Sequence, residues 1–490
     1  MRQLLQRTRT HLELMRDQHE PMKAALELLL KEYSDALQPP IRRMVNFVHK
    51  AQRLIKICET GIYSNAEVLK KLLNSPDPIW SMMPGLPVEV ELTKALARDL
   101  FQSSGAVSGE RIIIAVTEEG RDVAEEVIAL CMQNQVDFEL GIKDAHRGMV
   151  LINHLDESQL QKLANLTLEK YEGVHREIII SSSTNPDIKE QIDTEKRLIY
   201  RMMNQKIHDM AMSGKLHYTL TRIPNAHDAE LDEMEYEEYL KLFFELCDQP
   251  WKEIQLAQEA LKKKFDMSKS LHISNNDGTN ITLNIEGMTF ANSVIAKNIP
   301  GSEIFSAPRK DGVDGVVVAK GRFHYGASGI MENFRFEFEK GKLIKYSAEV
   351  GQEDLKNILE ADNEQGEGTK FVGEIGIGTN PHMRQHVVNS LLVEKIGGSF
   401  HLALGSCYTY DEYLGEPVTL NNGNVSQSGT HWDITTLLRG KDGRMEIDGE
   451  LIQENGDWIG AEFEVLNQGW GALAEEDQPH WWKENFSNGY

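Results

Sequence analysis

Two periodicities divide this chain. Met22, Leu26, Leu29, Leu30, Tyr33 and Leu37 fall at helical spacing and define one face of a helix. Pro39-Pro40 ends it, and a second helical stretch follows over Ile41–Cys58. From about residue 96 the pattern alternates. Leu92–Gln102 and Asp122–Gln133 have helical spacing, whereas Arg111–Val116 and Phe138–Ile142 are short apolar runs suited to buried strands. Glu177–Ser181 and His217–Arg222 extend this βαβ-like order, with a long charged helix over Asp187–Met212 between them. From about residue 266 strands dominate. Asn280–Ile285 alternates polar and apolar, and so do Phe334, Phe336 and Phe338 before a turn at Lys340-Gly341 leads into Leu343–Val350. Met445–Ile452 folds about Asp448-Gly449, and Asn455-Gly456 starts a further turn. One helix, His382–Lys395, interrupts these strands.

The patterns predict an α/β (α+β) protein in four parts. A helical extension spans 1–95, an α/β domain 96–265, a strand-rich C-terminal domain 266–466, and an aromatic tail 467–490. The tail carries Trp470, Trp481, Trp482, Phe486 and Tyr490 among acidic residues, which predicts docking on a surface.

Composition narrows the function. The 490 residues carry a formal net charge of −24, which argues against nucleic acid or an anionic membrane as partner. Cys58, Cys131, Cys247 and Cys407 form no CxxC pair, as expected of a reducing compartment and not of a cysteine-rich zinc module. Met1–Glu20 is charged throughout and no run has the length of a membrane span, so a cytoplasmic, soluble protein is expected.

The strands of the C-terminal part hold side chains that do not belong in an apolar interior. His431 and Asp433 are two apart, so a strand points both to one face. His401 lies in the apolar run Ser399–Gly405, and Glu374 stands between Val372-Gly373 and Ile375-Gly376-Ile377-Gly378. Glu303 precedes Ile304-Phe305, and Glu394 ends the predicted helix. Each alone has an ordinary explanation: a hydrogen-bonded pair at a strand end, a satisfied core histidine, or exposed carboxylates at Glu303 and Glu394. Together, three Glu, two His and one Asp are enough ligands for two divalent metals, which would offset the cost of burying these charges. Gly373–Gly378 is also readable as a phosphate loop, but its spacing is GxxGxG and Glu374 would repel an anion. His324, His382 and His386 are expected to be structural or rim residues.

At these residues the chain resembles the aminopeptidase T / aminopeptidase S family of dinuclear metalloaminopeptidases. The resemblance rests on Asn298–Pro308, Val372–Pro381, Glu394–Tyr408 and Thr430–Asp433, in order and at approximate spacing. It implies metal ligands at Glu303, Glu374, Glu394, His401, His431 and Asp433, and an active-site tyrosine at Tyr408. It also implies a homodimer that removes N-terminal residues from peptides with a free amine. Two divalent ions, zinc, cobalt or manganese, would activate water, with Glu303 or Glu374 carrying its proton and Tyr408 donating to the oxyanion. Three competing readings stand beside this one. One is another two-metal amidohydrolase, one a relative that binds peptides or a partner protein without turnover, and one a scaffold that acts through its first 95 residues.

Overall fold

In the computed structural model, residues 1–74, 85–183, 188, 191–326, 328–362, 366–409 and 411–486 are described. The chain forms two compact units, Met1–Phe244 and Glu245–Tyr490.

The first unit is built on four parallel strands in the order Asp137–Ile142, Arg111–Val116, Arg176–Ser181, His217–Arg222. Ile112, Ile114, Val116, Ile178 and Ile180 are fully enclosed, as expected of parallel strands covered on both faces. Helices Val90–Ser104, Arg121–Gln133 and Glu157–Lys170 accompany them. The last is started by a capping box in which Asp156 accepts from the Gln159 amide and Gln159 reaches back. The N-terminal helices belong to the same unit, and Arg7 donates from one of them to Asp137 and Glu139 on the sheet edge.

Two expected helices come out differently, and the helical extension gains a defined first helix. Charged Met1–Glu20 contains a 17-residue helix, Arg2–Gln18, whose Leu4, Leu5, Leu12 and Met15 are buried. The single helix over Met22–Leu37 is two, Lys23–Leu30 and Tyr33–Ala36, separated at Lys31-Glu32. The charged helix over Asp187–Met212 is likewise two, Thr194–Met203 and Gln205–Met212, broken at Asn204, and most of its expected start lies outside the described residues.

The second unit contains two antiparallel sheets. The larger runs Lys342–Val350, Met331–Glu339, Val313–Phe323, Asn280–Asn284, Ser270–Ser274, Arg444–Ile447, Glu450–Glu454, Asp457–Trp458. The smaller runs His431–Leu437, Ser399–Gly405, Val372–Gly378, Glu303–Ser306, Ala291–Ser293. Ile304, Ile375, Ile377, Phe400, Leu402, Leu404, Trp432 and Ile434 from the smaller sheet share one apolar core with Phe334, Phe336 and Phe338 of the larger. Helix Trp251–Asp266 packs its Ile254, Leu261 and Phe265 into the same core. The alternation of the strands therefore commits one face of the smaller sheet to the core, and its other face is free for chemistry.

The expected helix His382–Lys395 shrinks to Ser390–Val393. Its apolar residues Met383, Val387 and Leu391 are buried at helical spacing, but tertiary hydrogen bonds take the backbone elsewhere. Asn380 accepts the His382 amide, the Gly397 amide donates to Met383, and Asn389 caps the short helix. His382 pairs with Glu245 at 3.1 Å and lies among the rings of Trp481, Trp482 and Phe486. The aromatic tail thus docks as its composition suggests, with the Trp481 indole donating to Asp248 at 2.7 Å. Tyr490 lies outside the described residues. Among the described residues no helix is long and apolar enough to cross a membrane.

Candidate metal centre

Register brings the site residues together. On the open face of the smaller sheet, Glu303 lies opposite Gly378, Gly376 opposite His401, Glu374 opposite Ala403, Ala403 opposite Asp433, and Gly405 opposite His431. Charged or imidazole side chains thus alternate across the strands with glycine or alanine. The small residues make room for the large ones. At Gly376 a Cβ would overlap the His401 ring, so this strand position must be glycine for the imidazole to lie across it.

Two groups of donors result. Glu303, Glu374 and His401 form one, and Glu374, His431 and Asp433 the other, each with atoms within 4.8 Å of one another. Glu374 belongs to both. His401 Nε2 lies 3.5 Å from Glu374, 3.7 Å from Glu303 and 3.9 Å from Asp433. His431 Nε2 lies 3.1 Å from the second Glu374 oxygen and 3.8 Å from Asp433. Glu303 Oε2, Asp433 Oδ1 and His401 Nε2 are buried without a hydrogen bond. These orphaned polar atoms face one another and suit a cation, not a packed core. His431 Nδ1 donates to the Ser406 carbonyl at 2.7 Å, which turns Nε2 toward the site.

Glu394, the sixth expected ligand, is in neither group. Its Oε2 binds Lys395 Nζ at 2.8 Å, and the same ammonium binds Glu303 Oε1 at 2.6 Å. Tyr408 stands at the rim, its ring 5.2 Å from that of His431 and 5.5 Å from that of Phe305.

The charges shift as this crowding dictates. Burial opposes the Glu374 charge, but His401 and His431 overcome it and hold its carboxyl well below the usual range. Burial likewise opposes protonated His401 and His431, yet Glu374 and Asp433 raise them to about 9 and about 10. Asp433 is pushed up to about 7 by burial and by Glu394. Glu303 is raised by burial, against the pull of Lys395.

Three positioning features escape the apolar-run reasoning. Lys395 is one, because a lysine after a glutamate at a predicted helix end reads as solvated. Gly376 is another, although its glycine-rich strand gave a signal. The third holds Glu303 in place. The preceding Ser302 is fully buried at φ +88°, a conformation rare outside glycine. Its hydroxyl lies 2.9 Å from that of Thr379, and Gln258 donates to both. These partners are far apart in the chain, so spacing could not reveal them. His386 packs on Phe323 and is held neutral by burial, down to about 4, as befits a structural residue.

Comparison with known proteins identifies the family. Residues 93–459 match the model of the thermophilic metalloprotease family M29. Aminopeptidase AmpS of Bacillus subtilis is 35% identical over 175 residues, covering 33% of this chain and 40% of that protein. Aminopeptidase T of Thermus thermophilus is 28% identical over 169 residues, again covering 33% of this chain and 40% of that protein. The matched stretch thus spans two fifths of each relative's length. The solved structure of wild-type AmpT from Thermus thermophilus superimposes with a TM-score of 0.57 at 18% identity, over 75% of this chain and 100% of that one, a likeness of fold. With the family model matching most of its length, this chain belongs to the M29 family of thermophilic metalloproteases.

Proposed function

We propose that the protein is a metal-dependent aminopeptidase, releasing N-terminal residues from peptides at the open face of the smaller sheet. The observation that carries this reading is the pair of donor groups joined at Glu374. Its matched relatives are named as aminopeptidases, which supports the same substrate class. The donor set of carboxylates and imidazoles fits zinc, cobalt or manganese, and Glu374, shared by both donor groups, would help to hold an ion in either of them. A bound divalent ion would polarise the scissile carbonyl and lower the pKa of water.

The chain's own residues do the rest. Glu303 is the preferred proton carrier. Lys395 fixes its Oε1, while Oε2 is buried beside His401 with no hydrogen bond and can take a proton from water and pass it to the leaving amine. Glu374, shared by both donor groups, is better suited to holding metal. Tyr408 donates to the oxyanion of the tetrahedral intermediate. Acidic groups around the centre favour the protonated α-amine of the substrate, which gives exopeptidase selectivity. We further propose a homodimer in a reducing, cytoplasmic setting, in keeping with four buried cysteines that form no disulfide.

The test is hydrolysis of aminoacyl-chromophore substrates by metal-loaded protein, with N-acetylated peptides as the control. Free-amine substrates should be cleaved and acetylated ones should be worse by orders of magnitude. Equal cleavage of both would instead favour a broader metal-dependent amidase. Cleavage of neither, with metal bound, would favour a relative that binds without turnover.

A further inference from the structure

Lys395 is 1% exposed, yet it carries a full charge into the centre of the site. Its Nζ sits between Glu303 Oε1 at 2.6 Å and Glu394 Oε2 at 2.8 Å, a cation held by two carboxylates. Its backbone is anchored as well. The Lys395 amide donates to Leu392, and its carbonyl accepts from Asn380 at 2.9 Å. Two of the six expected ligands therefore each commit an oxygen to an ammonium supplied by the chain.

The two donor groups are unequal as a result. The ion pairs of Lys395 are to Glu303 and Glu394 and not to Glu374 or Asp433, and His401 Nε2 lies within reach of both groups, 3.5 Å from Glu374, 3.7 Å from Glu303 and 3.9 Å from Asp433. In the group of Glu303, Glu374 and His401, Glu303 has one oxygen on the ammonium. A dication placed there would face Lys395 across a single carboxylate, with like charges a few ångströms apart and little water between them to screen the repulsion. Glu394 is in neither donor group, and its Oε2 lies on the same ammonium, so it is committed to the lysine and not offered to that ion.

We propose that Lys395 takes the place of a second metal ion. The centre then binds one divalent ion tightly, through Glu374, His401, His431 and Asp433. The lysine neutralises Glu303 and Glu394, keeps both out of the coordination sphere, and leaves Glu303 Oε2 free for proton transfer. This rests on the metal-centre reading but not on peptides being the substrate.

Titration of the metal-free full-length protein with Mn²⁺ or Zn²⁺, followed by elemental analysis after dialysis, should give one ion per chain. Any second ion should bind at least 100-fold more weakly. With Mn²⁺ the protein should show the resonance spectrum of an isolated ion. In Lys395→Met a second ion should bind within about tenfold of the first, the two ions should become spin-coupled, and the second equivalent should raise the melting temperature. If Lys395→Met does not fold without metal, Glu303→Gln decides, since it should retain one tightly bound ion. Two ions of similar affinity in the wild type, a folded Lys395→Met that still takes one ion, or loss of the tight ion in Glu303→Gln would overturn the proposal. Cleavage of free-amine substrates with two such ions bound would overturn only this inference. A one-ion protein with no such cleavage would overturn only the aminopeptidase reading.

Discussion

The two units each carry a lysine toward a sheet, and they treat the charge in opposite ways. In the C-terminal unit Lys395 is enclosed between Glu303 and Glu394, and these carboxylates hold its proton more firmly than water would, although burial opposes them. In the N-terminal unit Lys170 ends the helix Glu157–Lys170, lines a cavity of about 1070 Å³ with Lys56, and among the described residues donates to the Leu140 carbonyl at 3.5 Å, with Glu139 as a weak opposite charge. Burial, with a smaller push from Lys56, lowers it to about 8. Both sheets present enclosed, mostly apolar strands, so burial alone does not separate them. What distinguishes the C-terminal sheet is that each buried charge meets an opposite one, and that small residues alternate with the charged ones to let them meet. A buried charge with partners marks a site under chemical constraint, whereas one without partners marks a local cost.

The largest expected effect tests the role of those small residues. Gly376→Ala would drive a methyl into the His401 ring. The imidazole must move, and metal affinity should fall at least about 10- to 100-fold, as when groups that orient a ligand are lost. Gly141 is the counterpart in the parallel sheet. A Cβ there meets only Ala115 at 3.6 and 3.7 Å and the Ile114 carbonyl at 3.9 Å, ordinary contacts. Gly141→Ala should therefore fold normally and bind metal as the parent does. Similar metal content in the two variants after dialysis would show that the glycines of the site strand are incidental.

The next effect concerns pairing. In metal-free protein, Lys395→Met leaves Glu303 and Glu394 buried without their cation. Breaking such a pair costs about 3–5 kcal/mol, which chemical denaturation would measure. A loss below about 1 kcal/mol would place the ammonium in effective contact with water. Tyr408→Phe tests the rim. If its hydroxyl serves the oxyanion, turnover should fall roughly 10²- to 10³-fold with KM little changed. An unchanged turnover number would reduce Tyr408 to a packing partner of Phe305 and His431.

The same contrast explains what could be read from the sequence. The strands were legible because alternation or enclosure leaves a period of two, as in Phe334, Phe336 and Phe338, or a short apolar run, as in Arg111–Val116. Glu374, His401 and Asp433 stood out because charge inside an apolar run is costly. Lys395 did not, since its neighbour Glu394 made the dipeptide look like a solvated helix end. The helix expected there followed Met383, Val387 and Leu391, whose spacing is helical although the Asn380 side chain accepts the His382 amide and the Gly397 amide donates to the Met383 carbonyl, which prevents a helix from forming. The Arg2–Gln18 helix falls inside the helical extension expected over 1–95, but its bounds are not marked, because its four buried apolar residues are outnumbered by charged and polar ones. The bonds among Ser302, Thr379 and Gln258 join distant residues, and no local pattern encodes them.

The smallest effect is a pH dependence in the N-terminal unit. Lys170 has a folded pKa of about 8 against an ordinary 10.5. Between those values the unfolded chain binds the proton and the folded chain releases it. The unfolded state therefore carries more protons, and this lysine makes stability rise with pH across that window. Below about pH 8 the lysine is charged in both states and its desolvation is a standing cost, at most about 3.4 kcal/mol at 1.36 kcal/mol per unit. Lys170→Met should therefore be more stable than the parent at pH 7, and the difference should shrink toward pH 10.5. Comparing the variant with the parent cancels the similar slope that Lys56 contributes, since burial lowers its pKa as well. Urea denaturation at pH 7, 8, 9 and 10 would measure the convergence. A variant less stable than the parent at pH 7 would mean that the Lys170 ammonium has a stabilising partner in solution, and the two lysines would then differ in degree and not in kind.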